Sequence, residues 1–383
     1  MKGYDCCRVG NKKAGLHNSK SRLFRFGLLV FTLLLIAGLF SGCREEEPIR
    51  IGVIISQSGP GGYLSATLDA IQLAVNEVNE NGGIQNRIIE LYSTDNETDR
   101  DIAIRQFREM EKEVSPDLYI TALSAISSQL IPLAEKAEVP ILCIVTSMEA
   151  LTENAEWAFR FYAMASEEVS PIMTSLVKNT IKSLGILHSD DEYGMSVFNQ
   201  LSIEALKEGI SVSDESFTNG DADLTEQVRK LSGNEGIYVV GLASAIPVAI
   251  SAFSETGYMG YRLAPSGACN PDILSMPDAE GMLIAAPILY KPNFFLAERL
   301  TSTFMERYGI TPNHQAASGY EAIKILAGLL QDGEITRSAI REKMSSGFVY
   351  TGTLGNISVP KGEHDYTFPL YPARIEKGGI VYE

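Results

Sequence analysis

The feature that most constrains this chain is a rhythm. Short runs of β-branched and aliphatic residues alternate with longer stretches whose apolar residues recur every three or four positions. Residues 49–56 form such a run, followed by the glycine-rich loop Ser58-Gly-Pro-Gly-Gly-Tyr63. Leu64, Leu68, Ile71, Val75 and Val78 then mark one face of a helix, which Asn81-Gly-Gly stops. The unit repeats with strands at 87–92, 118–123 and 139–145 and helices at 98–113 and 127–137. After Phe159-Arg-Phe-Tyr162 it restarts, with a helix at 169–180, a strand at 181–187 and a helix from about Tyr193. Apolar runs at 237–241, 263–265 and 282–288 continue it. Alternation of this kind predicts an α/β fold, with parallel sheets covered by helices on both faces. Helices at 295–308 and 317–331 precede a β-like, turn-rich end from 348 to 382, which reads as a closing hairpin.

The first 42 residues do not share the rhythm. Seven basic side chains precede a nearly uncharged run of 17 residues, 26–42, the layout of an export signal. Such a run sits at the lower edge of the roughly 17–25 residues that span a bilayer, so a retained anchor helix stays open. Phe40-Ser41-Gly42-Cys43 puts small residues before a cysteine and resembles the bacterial lipoprotein signal. That resemblance implies a signal peptide over 1–42, lipidation at Cys43 and a membrane-anchored protein outside the cytoplasm. The 341 residues beyond it are too many for one ordinary domain and comfortable for two.

Charge removes whole classes of partner. The 32 Lys and Arg and 48 Asp and Glu fall by seven and one with the leader, leaving 25 against 47 and a formal charge of −22. A surface this acidic disfavours nucleic acid and anionic headgroups, which need a basic face. With Cys6 and Cys7 in the leader, only Cys143, in an apolar run, and Cys269 remain to pair. Two cysteines build no disulfide framework.

In open parallel sheets ligands bind beyond the carboxyl ends of the strands. The residues that follow the strands here are mostly hydroxyls, tyrosines and amides: 56–63, 93–96, Ser124, Ser127, Thr146, Ser147, 188–193, 241–244 and 266–270. They suit neutral hydrogen bonds and anion capture better than bond breaking. The glycine loop at 59–62 lacks the Gly-Lys-Ser/Thr that cradles a nucleotide, and no Gly-x-Ser-x-Gly elbow is present. His188-Ser-Asp-Asp-Glu192 reads as a solvated helix cap before it reads as a metal site. No cofactor, metal or catalytic group is expected.

The strand-end residues resemble the type I periplasmic solute-binding proteins, in particular the leucine/isoleucine/valine-binding branch that serves ABC importers. The resemblance rests on Ile51-Gly-Val, Ser58-Gly-Pro60, Ala74-Val-Asn-Glu-Val-Asn-Glu-Asn-Gly-Gly-Ile84, Pro132-Leu-Ala-Glu-Lys-Ala-Glu-Val-Pro140, Asp191-Glu-Tyr-Gly194 and Gly319-Tyr-Glu-Ala322. It implies two Rossmann-like lobes joined by three hinge strands: lobe I over 48–162 plus 291–350, and lobe II over 163–290 plus 351–383. Hinges would fall at Tyr162-Ala163, Tyr290-Lys291-Pro292 and Gly352-Thr-Leu354. It further implies a small amino acid or a carboxylate- or amide-like ligand. Its carboxylate would be held by Ser124, Thr146 and Ser147, with Tyr63 or Leu64 at the lobe I wall and Tyr193 covering from lobe II. Short hydroxyls at helix starts suit that task, though Ser and Thr are also common helix caps. Two positions depart from the family pattern: Ser266 stands where an acid should receive the ligand ammonium, and Ala243 where an aromatic is expected. Either another acid such as Asp272 reaches in, or the ligand is not an ordinary α-amino acid. The expected partners are an ABC permease and its ATPase, with the chain monomeric; a sensor with a signalling partner is the alternative.

Overall fold

A computed structural model of the chain describes residues 47–383, so the leader and Cys43 lie outside the described residues. Strand β1 (Ile49–Ile55) is buried along almost its whole length, as a strand covered on both faces must be. It lies between β2 (Ile89–Asp95) and β3 (Leu118–Ala122), with β4 (Ile141–Ile144) and β5 (Ala158–Phe161) beyond. All four pairings among these strands are parallel.

A second sheet repeats the plan. Here β6 (Ser183–Ser189) lies between β7 (Ser211–Phe217) and β8 (Gly236–Val240), followed by β9 (Tyr261–Ala264) and β10 (Leu283–Pro287), again all parallel. The two-residue period of a strand is visible in β8, where Ile237 and Val239 join one apolar core and Tyr238 and Val240 the other. The protein is therefore α/β, with two lobes built on parallel sheets.

The C-terminal segment divides between the lobes. Strands β11 (Phe348–Gly352) and β12 (Gly355–Val359) form an antiparallel hairpin whose Leu354, Ile357 and Val359 enter the lobe I core. The short β13 (Asp365–Tyr366) pairs with β5. Only then does the chain cross to lobe II, where β14 (Leu370–Glu376) runs antiparallel to β10 and β15 (Gly379–Tyr382) borders it. The third crossing is thus at 367–369 and not at Gly352-Thr-Leu354, and lobe II resumes near 370 instead of 351. Two long-range hydrogen bonds hold it there: the backbone N–H of Thr353 donates to buried Glu321 Oε1 at 2.5 Å and the Tyr350 hydroxyl donates to Oε2, pinning the hairpin to lobe I.

Two further contacts explain conspicuous residues. Helices Ser65–Glu80 and His314–Leu329 pack so closely that a Cβ on Gly319 would stand 2.8 Å from both Thr67 Cγ2 and Thr67 O. Arg160, wholly buried, donates from Nε to Asp365 Oδ1 at 2.8 Å and from Nη1 and Nη2 to the carbonyls of Met148 and Glu149, stitching β13 to β5. Among the described residues no helix is long and apolar enough to cross a membrane.

Candidate functional site

In both sheets the second strand in the chain goes to one side of the first and the third goes to the other, so each has a switch point, between β1 and β3 and between β6 and β8. Loops leaving the carboxyl ends of such strands diverge and open a crevice. Here the two crevices meet in one cavity of ≈ 320 Å³, walled by Pro60, Tyr63 and Ser124 from lobe I and by Asp191, Tyr193 and Ala243 from lobe II.

On the lobe I side two backbone outliers aim the hydroxyls. Leu123, at the end of β3, has φ 71°, and Val145, at the end of β4, has φ 50°, a left-handed conformation that is unfavourable for a β-branched residue. Both line the cavity. Strain of this kind marks places where the surrounding structure fixes a functional geometry. It brings Ser124 Oγ to 3.0 Å from Thr146 Oγ1, with the Met148 backbone N–H donating to Ser124 Oγ at 3.3 Å. Ser124 begins the helix Ser124–Ala137, whose N-cap residue Leu123 offers no side-chain acceptor, so the helix start faces the cavity uncapped. Ser147 lines the cavity with its Oγ buried, and the hydroxyl lies toward the carboxyl group of Glu168, whose ionised form it favours.

On the lobe II side the Asp191-Glu-Tyr-Gly194 turn places Tyr193. Asp191 caps the helix Glu192–Lys207 by accepting from Gly194 N–H at 2.9 Å. A Cβ on Gly194 would stand 2.2 Å from Ser189 O, so only glycine lets the helix start press onto the end of β6. Tyr193 then lines the cavity and donates its hydroxyl to Glu168 Oε2 at 3.0 Å.

Of the six expected contacts, Tyr63, Ser124, Ser147 and Tyr193 line the cavity. Thr146 is not among its walls and acts on Ser124 from behind. Ser266 is buried outside the wall, donating its hydroxyl to Glu168 Oε1 at 2.8 Å. Ala243 lines the cavity where an aromatic was expected, and Tyr63 reaches its backbone amide across the cleft. Asp272 does not reach in: it is exposed, in the first turn of the short helix Pro271–Leu274.

Sequence reasoning missed several groups. Glu168 is fully buried in the helix Ala165–Lys178, which begins four residues before the 169 expected, so that Glu167 and Glu168 fall in its first turn. Burial pushes the Glu168 carboxyl group up, against the opposing hydrogen bonds of Ser266 and Tyr193. Tyr162 lines the cavity at the first crossing, and burial followed by the charge of Glu168 raises its hydroxyl well above the ordinary value. Its hydroxyl lies 2.6 Å from His314 Nε2 and 3.4 Å from Ser266 Oγ. Burial pushes His314 down to about 3, so its imidazole is neutral at physiological pH. Gln315, the next residue, lines the cavity with its Oε1 buried and unpartnered. No local signal in the sequence separates these residues from solvated neighbours.

Several contacts bridge the lobes over the cavity mouth. Arg100 Nη2 meets Glu192 Oε2 at 2.5 Å, Ser244 Oγ donates to Pro60 O at 2.8 Å, and Glu149 N–H donates to Ser196 Oγ at 2.9 Å. These are surface contacts of small individual worth, suited to a reversible closure. The thiols of Cys143 and Cys269 are buried and free, with burial pushing Cys143 up to about 12. Buried His188 hydrogen-bonds through Nδ1 to Ser189 O and stacks on Phe198. Among the described residues no group of three or more His, Cys, Asp or Glu side chains is placed to hold a metal ion.

The sequence profile of the periplasmic binding protein family matches residues 48–379. A search of curated protein sequences gives no match. Among solved structures, the leucine-binding protein LivK from Thermotoga maritima superposes with a TM-score of 0.79 at 20% identity, covering 88% of this chain and 97% of that one. LivJ from Streptococcus pneumoniae in complex with isoleucine gives a TM-score of 0.78 at 19% identity, covering 88% and 100%. A solute-binding protein of an ABC transporter from Rhodopseudomonas palustris in complex with 3,4-dihydroxybenzoic acid gives 0.80 at 18% identity, covering 88% and 96%. The two-lobed fold, the facing switch points and the match over nearly all the described residues place this chain in the periplasmic binding protein family.

Proposed function

We propose that the protein is an extracytoplasmic solute receptor of an ABC importer, which closes its two lobes around a small amino acid or a carboxylate- or amide-like ligand. One observation carries the reading. The start of the helix Ser124–Ala137, with no side chain capping it, faces the cavity between the two switch points. Helix-start N–H groups complement a carboxylate without carrying charge. Opposite them stand Tyr193, backbone amides and the carboxylates of Asp190 and Asp191, with no serine, cysteine or lysine nucleophile paired to an activating base among them. The protein is read as a receptor and not an enzyme: closure needs only contacts that are better in the closed state. The similar structures that hold isoleucine and 3,4-dihydroxybenzoic acid share a carboxylate in their ligands, in keeping with this site.

Lipidation of Cys43 would tether the receptor beside its permease and ATPase. Replacing it by Ser is expected to move the protein from the membrane to the soluble fraction; unchanged membrane association would favour an uncleaved anchor helix. The ligand is tested by thermal melting against amino acids, amides and carboxylic acids. A ligand that binds only the native state raises the melting temperature by mass action, and the rise grows with the logarithm of ligand concentration above Kd. A concentration-dependent rise with at least one carboxylate is expected, and no rise across the panel would contradict the reading.

A further inference from the structure

All three connections between the lobes meet at one place. His314 opens the lobe I helix His314–Leu329 and is completely buried. Its Nε2 lies 2.6 Å from the hydroxyl of Tyr162, at the first crossing, and its backbone N–H donates to the hydroxyl of Tyr290, at the second, at 3.0 Å. Each tyrosine then reaches the same short turn of lobe II. The Tyr162 hydroxyl stands 3.4 Å from Ser266 Oγ, and the Tyr290 hydroxyl donates to the Cys269 carbonyl at 2.5 Å. Phe368, at the third crossing, packs edge-on against Tyr162 with ring centroids 5.5 Å apart.

These bonds stand where a rotation of the lobes moves atoms least. Points on a hinge axis barely shift while points far from it sweep, and a hydrogen bond weakens steeply once its length or angle leaves a narrow range. Short bonds to both lobes can therefore persist through closure only at the crossings themselves. The His314 ring is kept there at a cost: its Nδ1 is buried without a partner, a desolvation penalty that an apolar side chain would avoid. What the imidazole adds in return is the Nε2 contact with Tyr162. Tyr290, which packs against the cores of both lobes, carries the second bridge. Gln315 and Gly267, the chain neighbours of His314 and Ser266, line the cavity, so this junction borders the cleft from both lobes.

We infer that His314 is the positioning residue of the hinge: through Tyr162 and Tyr290 it ties the lobe I helix start to the lobe II turn at 266–269 and makes the three crossings a single pivot. The inference rests on the receptor reading, in which the lobes move, and says how that movement is guided. With both bridges in place the lobes turn about one axis. Without them the crossings are three separate linkers, and the lobes twist as well as close.

Nitroxide labels at Glu109→Cys in lobe I and Ser251→Cys in lobe II, both exposed positions, report the distance between the lobes by pulsed electron resonance; the native thiols of Cys143 and Cys269 are buried. The protein is measured without added solute, so the result does not depend on which ligand it takes. Tyr162→Phe and Tyr290→Phe each remove one oxygen and keep the ring, and His314→Ala removes the imidazole. Each should broaden the distance distribution. Tyr162→Phe added to His314→Ala should broaden it no further, because both remove the same bond, whereas Tyr290→Phe added to His314→Ala should. His314→Gln, whose side-chain amide reaches the place of Nε2, should restore the narrow distribution. Circular-dichroism melts establish that each variant is folded, and if His314→Ala is not, the two tyrosine variants decide. Distributions that superimpose on that of the unsubstituted hinge, even with a lower melting temperature, would overturn the inference and leave His314 a residue of the fold alone. That outcome would leave the receptor reading intact, which falls instead on a thermal panel without a rise.

Discussion

At the scale of single residues, Gln315 borders the cleft with its Oε1 buried and without a partner, and such an atom costs about 1–3 kcal/mol. A ligand donor that reaches it recovers this cost. Gln315→Ala should therefore weaken ligand binding by about 1–3 kcal/mol, measured by calorimetry, while leaving the ligand-free melting temperature unchanged or raised. A drop in that temperature would show that Gln315 serves the fold instead. His314 makes a prediction about pH. Its folded value is depressed to about 3 from 6.5, so the unfolded chain binds the proton more readily between those values. The stability associated with a neutral His314 is fully present above pH 6.5 and lost progressively as pH falls toward 3, by several kcal/mol in all. Glu168, raised by burial, acts oppositely and gains stability as it takes up a proton. Denaturant melts of His314→Gln should thus show a flatter loss of stability between pH 6.5 and 4 than the wild type. Parallel curves would contradict the assignment.

At the scale of elements, the contact between helices Ser65–Glu80 and His314–Leu329 sets the position of the cavity floor, because His314 and Gln315 open the second of them. Gly319→Ala would push a methyl group onto the Thr67 backbone, which cannot yield as a flexible side chain would. A loss of about 1–3 kcal/mol in denaturant unfolding is expected, the usual cost of overpacking; a neutral change would mean that the helices separate freely. The same helices show what the sequence made legible. Of the five residues picked out by their spacing, Leu64, Ile71, Val75 and Val78 are buried and Leu68 is half-buried against the same core, because helical period and burial are one physical fact. The β-loop-α alternation was legible for the same reason, since it is written in local periodicity. The hairpin of β11 and β12 was visible as β-like chain, but its lobe was not, because the hydrogen bond from Thr353 to Glu321 joins positions far apart in sequence.

At the scale of the whole molecule, site residues were legible where they follow strand ends and hidden where tertiary packing creates them. Tyr63, Ser124, Ser147 and Tyr193 belong to the first kind. Glu168 belongs to the second: a Glu-Glu pair at a helix start looks solvated, and only the docking of Ser266 and Tyr193 buries it. The three crossings at 162–164, 288–294 and 367–369 carry Tyr162 and Tyr290, so the connections between the lobes and the polar chain to Glu168 are physically the same place. In the closure proposed above, the lobes would meet through the contacts of Arg100 with Glu192 and Ser244 with Pro60. The central claim is that this closure depends on ligand. Small-angle X-ray scattering of the protein, with and without the best ligand from the thermal panel, measures it most directly. The account predicts a smaller radius of gyration with ligand, as open lobes come together; an identical radius in both states, with ligand demonstrably bound, would contradict it.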